Sequence, residues 1–211
     1  MSQIKNLIFD LGGVLLNIDF KKTYEAFEKI GCNDVDGIMK KAFSAGFYID
    51  FEKGLIDADD FTQKMLEICN FCTDAAGFTA CWNALLLDFP PKRIEILKKL
   101  GTKYRLFLLS NTNLIHYRQY NRQFAEQFNE PSLDSMFETA YFSHEMGLRK
   151  PDIAIYNAVI KQSNLIAEET LFVDDMEENH ANAKKAGLET CLIVQNSNFY
   201  ENEHFKKLIS W

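Results

Sequence analysis

The run Asn6-Leu-Ile-Phe-Asp-Leu-Gly-Gly-Val-Leu-Leu16 constrains the fold of this chain more than any other stretch. An apolar segment ends on one carboxylate, Asp10, and after Leu11 come two glycines, Gly12 and Gly13. A strand buried on both faces reads as a continuous apolar run, and ligands of open α/β sheets gather beyond the carboxyl ends of such strands. Asp10 is thereby placed at the floor of a crevice. The glycines let the backbone turn sharply and approach a ligand closely.

The same texture returns later in the chain. Arg105-Leu-Phe-Leu-Leu109 ends on Ser110-Asn-Thr-Asn113, and Thr170-Leu-Phe-Val173 ends on Asp174-Asp175. Thr139–Phe142 and Thr190–Val194 complete a set of five strand candidates. Helical patterns alternate with them, at roughly Leu114 to Phe128, Ile153 to Ile160, Asn179 to Ala186 and Glu201 to Leu208. Such alternation implies right-handed crossovers and a parallel sheet. Between the first two strands the pattern is helical throughout. Phe20 to Ile30 is stopped by Gly31; Ile38, Met39, Ala42 and Phe43 share an apolar face; Asp57-Ala-Asp-Asp60 opens a helix through Ile68. Thr73 is placed to cap one more helix, Pro90-Pro91 punctuates the chain, and Ile94 to Leu100 forms a short helix. A connection of about 70 residues is too long for an ordinary crossover. Residues 18–89 therefore read as an inserted helical cap, and residues 1–17 with 90–211 as the core domain.

Composition narrows the function. With 47% hydrophobic residues and 18 Phe the chain can bury a sizeable core. Its net charge of −7, without a basic block, argues against nucleic acid or an anionic membrane as partner. No apolar run reaches the roughly 18 residues of a membrane span, and the N-terminus lacks a signal-type core, so a soluble cytoplasmic protein is expected. The five cysteines, Cys69-x-x-Cys72 among them, lack the paired spacing of a metal site and read as buried free thiols.

In a parallel sheet all strand ends face one side. Asp10, Ser110 with Asn111, and the pair Asp174 and Asp175 therefore converge, and Lys150 stands before a helix start in Gly147-Leu-Arg-Lys-Pro-Asp152. Three crowded carboxylates repel unless a cation sits among them. Oxygen ligands of this kind suit magnesium. A lysine, a hydroxyl and backbone N–H groups beside such a cation make a receptor for a phosphoryl group. Asp10 is then the candidate nucleophile, since a carboxylate can form an acyl phosphate that water cleaves. Asp19 reads as a helix cap, and His116, His144, His180 and His204 show no ligand spacing.

Phe9-Asp-Leu-Gly-Gly-Val14, Leu108-Leu-Ser-Asn-Thr112, Gly147–Asp152 and Phe172-Val-Asp-Asp175 resemble the four ordered motifs of the haloacid dehalogenase-like hydrolase superfamily. Phe51-Glu-Lys-Gly54 is similar to a recurrent piece of its helical caps. The resemblance implies a Rossmann-like five-stranded parallel sheet of order 5-4-1-2-3 and a magnesium-dependent phosphatase acting on a small phosphorylated metabolite, sugar phosphates included. It implies Asp10 as nucleophile and Mg2+ ligand, the Gly12 carbonyl as a second ligand, and Asp175 as the main ligand of the fourth motif. Asp174 would ligate directly or through water, and Ser110, the Asn111 backbone and Lys150 would bind phosphate. One position departs from the pattern: phosphatases of the superfamily usually carry a second Asp where this chain has Gly12. The rivals are a carbon–halogen hydrolase, whose branch lacks both that Asp and the carboxylate pair, and a non-catalytic phospho-ligand binder.

Overall fold

The computed structural model describes residues 3–70 and 72–209; Met1 and Ser2, read above for a leader, lie outside them. Five strands, β1 (Asn6–Phe9), β2 (Arg105–Ser110), β3 (Thr139–Phe142), β4 (Thr170–Asp174) and β5 (Glu189–Leu192), form one sheet of order β3-β2-β1-β4-β5. Every pairing is parallel, and the order is the expected one read from the opposite edge. Successive strand residues point to opposite faces. Leu7, Phe9, Leu106, Leu108, Leu171 and Val173 thus enter one core, while Ile8, Phe107, Leu109 and Phe172 enter another. Both phases are apolar, which is why the strands read as unbroken runs.

The span between β1 and β2 holds α1 (Phe20–Lys29), α2 (Val35–Ser44), α3 (Phe47–Glu52), α4 (Ala58–Ile68) and α5 (Ala75–Asn83), followed by α6 (Pro91–Leu100). Helices α1 to α5 bury a cluster of their own around Phe27, Phe47, Phe51, Phe61, Phe78 and Trp82. Phe51 and Phe61 stack at 4.1 Å between centroids. Asp19 and Asp57 cap α1 and α4 as expected, accepting from Lys21 N and Asp60 N. Two boundaries move. Asp74, not Thr73, caps α5 through Gly77 N, and α6 starts at Pro91 because proline fits the first helical position. Phe43 is also corrected: α2 buries Val35, Ile38 and Ala42, leaving Phe43 59% exposed beyond that face.

The return half carries α7 (Leu114–Phe128), α8 (Ser143–Met146), α9 (Ile153–Gln162), α10 (Glu177–Lys185) and α11 (Glu203–Leu208). No helix among the described residues is long and apolar enough to cross a membrane. The cysteines depart from expectation. Cys32, just beyond α1, is disulfide-bonded to Cys72 in the α4–α5 loop, 40 residues away, and the sulfur of Cys69 lies within 4.8 Å of both. Cys69, Cys81 and Cys191 are buried free thiols.

Candidate active site

Register builds the site. Phe9 pairs with Leu108 and with Val173, so Asp10 leaves β1 level with Asp174 and next to the end of β2. The Asp10 amide donates to the Val173 carbonyl at 2.8 Å, fixing the carboxylate at the sheet edge. Lys150 enters from the loop after α8 and is 2% exposed. Its Nζ lies 2.8 Å from Asp10 Oδ1 and 2.7 Å from Asp174 Oδ2. Two of its three N–H groups are thereby committed, leaving one free to meet a ligand.

Asp174 is fully buried. Besides Lys150 it accepts from Met176 N at 2.7 Å and from Asn179 Nδ2 at 2.9 and 3.0 Å. Asp175 points the other way, onto the pocket. Carboxylate oxygens of Asp10, Asp174 and Asp175 all lie within 4.8 Å of one another. Burial pushes the Asp10 carboxyl up to about 7, with Lys150 opposing and Asp174 adding to the rise. Asp175 rises to about 6, from burial first and then from Asp174. Lys150 stays above its ordinary value because its two carboxylates outweigh the cost of burying the ammonium. Lys150 is one positive charge against three clustered carboxyls, and an all-oxygen set of this size fits a hard divalent cation such as magnesium.

The loops are tied to this point. Asn111 Oδ1 accepts from Lys150 N and Asn111 Nδ2 donates to Lys150 O, both at 2.8 Å, so the second motif fixes the backbone of the third. Ser143 Oγ donates to Thr112 O and accepts from Thr112 N, both at 2.9 Å. Gly13 has φ +78°, and a side chain there would strike the Asp175 carboxylate. Gly12 has no left-handed φ; a Cβ there would sit 3.1 Å from Ile18 Cδ1. The need for glycine thus falls on Gly13.

A cavity of about 430 Å³ opens above Asp10, within the usual range for small-ligand pockets. Asp10, Gly12, Ser110, Asn111, Lys150 and Asp175 line its floor, whereas Asp174 does not reach it. The insert closes the far side with Tyr24, Met39, Tyr48 and Trp82. Three contributors were not legible as such in the sequence. Asn179 clamps Asp174 from the first turn of α10; its only signal is its place five residues on. Glu52 on α3 meets Arg149 Nε at 3.0 Å, next to Lys150, and that long-range pair leaves no local pattern. His116 joins the pocket wall, although isolated histidines read as ordinary.

Comparison with known proteins finds similar sequences and structures. The family described as haloacid dehalogenase-like hydrolase matches residues 83–193. A D-ribitol-5-phosphate phosphatase of Bacteroides thetaiotaomicron is 31% identical over 89% of this chain and 90% of its own length. A haloacid dehalogenase-family enzyme from the same organism, crystallised with magnesium and inorganic phosphate, superposes with a TM-score of 0.86 at 33% identity, covering 96% of this chain and 99% of that one. A predicted hydrolase of this type from Porphyromonas gingivalis gives a TM-score of 0.87 at 27% identity over the full length of both chains.

Proposed function

The chain belongs to the haloacid dehalogenase-like hydrolases, and on that premise we propose that it is a magnesium-dependent phosphatase of a small phosphorylated metabolite of the sugar or sugar-alcohol kind. The observation that carries the reading is the meeting of Asp10, Asp175 and Lys150 at one sheet edge beneath the cavity. The ribitol-phosphate phosphatase relative and the neighbour bound to magnesium and phosphate support the substrate class and the cofactor.

Asp10, Asp175 and the Gly12 carbonyl would hold the Mg2+, with Asp174 behind them. When bound, the cation neutralises charge on the phosphoryl oxygens. The remaining work falls to the chain itself. The free N–H of Lys150, the Ser110 hydroxyl and the Asn111 backbone N–H receive the phosphoryl oxygens. The Asp10 carboxylate attacks phosphorus, the P–O bond to the leaving group breaks, and water then cleaves the aspartyl phosphate. Residues 18–89 act as the cap that covers the leaving group, and residues 1–17 with 90–211 as the catalytic core.

A phosphate-release screen over phosphorylated metabolites, with and without magnesium, tests the reading. Metal-dependent release by the parent and none by Asp10→Asn, which keeps the shape but cannot attack, is the expected result. Halide release from 2-haloacids in chelator would instead support the dehalogenase reading. Tight phosphate-ester binding without turnover would support a phospho-ligand binder.

A further inference from the structure

His116 stands on the first turn of α7, three residues after Asn113, whose side chain caps that helix. Its ring lies over the Trp82 indole of α5, with centroids 5.6 Å apart and planes 5° from parallel. Its Nδ1 lies 2.9 Å from Asn83 Oδ1. An amide oxygen only accepts, so Nδ1 carries the ring proton and Nε2 keeps its lone pair. No protein donor among the described residues meets Nε2, and His116 lines the cavity. Burial holds this imidazole down to about 3, so it is neutral at any working pH.

A second, independent observation concerns charge. Among the described residues the cations lining the cavity are Arg149 and Lys150. Lys150 is paired with Asp10 and Asp174, and Arg149 with Glu52. Away from the phosphoryl end, the wall offers apolar groups, neutral polar groups such as Tyr24, Tyr48 and Gln195, the carboxylates of Glu52 and Glu178, and the His116 lone pair, but among the described residues no cation without a carboxylate partner. An anionic group placed there would lose its water, face Glu52 and Glu178, and meet no unpaired cation. A hydroxyl could donate to Nε2 while its carbon chain lies along Leu85 and Leu86.

Resting on the phosphatase reading above, we infer that His116 is a specificity-determining acceptor for a hydroxyl on the leaving group, so that the pocket selects phosphate esters with a neutral, hydroxylated far end and rejects those carrying a second phosphate or a carboxylate there. The test is calorimetry on magnesium-loaded Asp10→Asn protein with three probes: a pentitol 5-phosphate, pentyl phosphate and a 5-phosphopentonate. The pentitol ester should bind roughly tenfold tighter than either of the others, about the worth of one hydrogen bond. His116→Phe, which keeps the ring over Trp82, should reduce the margin over pentyl phosphate to less than about threefold. A 5-phosphopentonate that binds as well as the pentitol ester overturns the inference, as does a margin that survives in His116→Phe. If His116→Phe fails to fold, the ranking of the three probes decides alone. Release of p-nitrophenol by the parent tests the phosphatase reading separately, so correct ranking without turnover would sink that reading and leave His116 in its role.

Discussion

Asp174 and Asp175 are neighbours in sequence with opposite surroundings, and the difference divides their proposed roles. Asp174 accepts from Lys150, Met176 N and Asn179 and is sealed from the cavity. Removing one member of a buried ion pair costs about 3–5 kcal/mol, because the partner is left charged and unpaired. Asp174→Ala should therefore lower the unfolding temperature substantially, whereas Asp175→Ala should leave it near the parent value and weaken magnesium affinity most. Thermal unfolding and calorimetry on both variants check this; a stable Asp174→Ala, or unchanged magnesium binding in Asp175→Ala, contradicts it. Gly12 bears on the reaction itself. Its backbone is in an ordinary region and only Ile18 stands close, so a Cβ can be accommodated with a small shift of Ile18. Without an acid here, turnover should depend on leaving-group quality, fast for p-nitrophenyl phosphate and slow for alkyl phosphates. Gly12→Asp should raise the alkyl rate relative to the aryl rate by roughly tenfold or more, within the range of general-acid assistance. A parent that cleaves both ester types equally well already has an acid elsewhere.

Among the elements, the segment Phe51-Glu-Lys-Gly54 ties the helical insert to the core. Phe51 roots it in the core of the insert by stacking on Phe61, Glu52 reaches Arg149, and Gly54 lies against the His144 carbonyl of α8. Gly54 also has φ +66°, so a Cβ is opposed both by conformation and by that carbonyl. Gly54→Ala should cost about 2 kcal/mol, roughly 4–8 °C in Tm for a chain of this size, and should raise KM by loosening the insert against the core. An unchanged Tm and KM would remove this docking role. The element scale is also where sequence reading served best and where it stopped. Strands were legible because both their faces are buried, and their convergence followed from parallel pairing alone. Boundaries governed by one residue slipped: Thr73 and Asp74 are equally good caps on paper, and the four residues of α8 are too few to show a period. Phe43 was misjudged because α2 turns it just past its buried face. Cys32 and Cys72, the Glu52–Arg149 pair and the Asn179 clamp are tertiary facts with no local trace.

At the scale of the whole molecule, the acidic site couples folding to pH and to metal. Three apolar clusters meet around it: two on the faces of the sheet and one inside the insert. Without metal, Asp10 and Asp175 hold protons to about 7 and about 6 in the folded chain, against 3.8 in ordinary surroundings. The native state then binds more protons than the unfolded chain between those limits. Stability contributed by these groups is full below the ordinary carboxylate value and is lost as pH rises through 6 and 7. Lys150, raised above 10.5, adds a contribution that is constant over the same window. With the proposed ligand set, magnesium would take the place of the two protons, so its binding would compete with them and release them. Its stabilisation should therefore be small at pH 5 and grow towards pH 8. The measurement is Tm with saturating magnesium minus Tm in chelator, taken at half-unit steps from pH 5 to 8. Calorimetry at pH 6.5 in two buffers of different ionisation enthalpy counts the protons released. A gap in Tm that rises with pH, with net proton release on binding, is expected. A gap that is flat or shrinks across the range would mean that these carboxyls are already ionised in the metal-free fold, with Lys150 alone holding them.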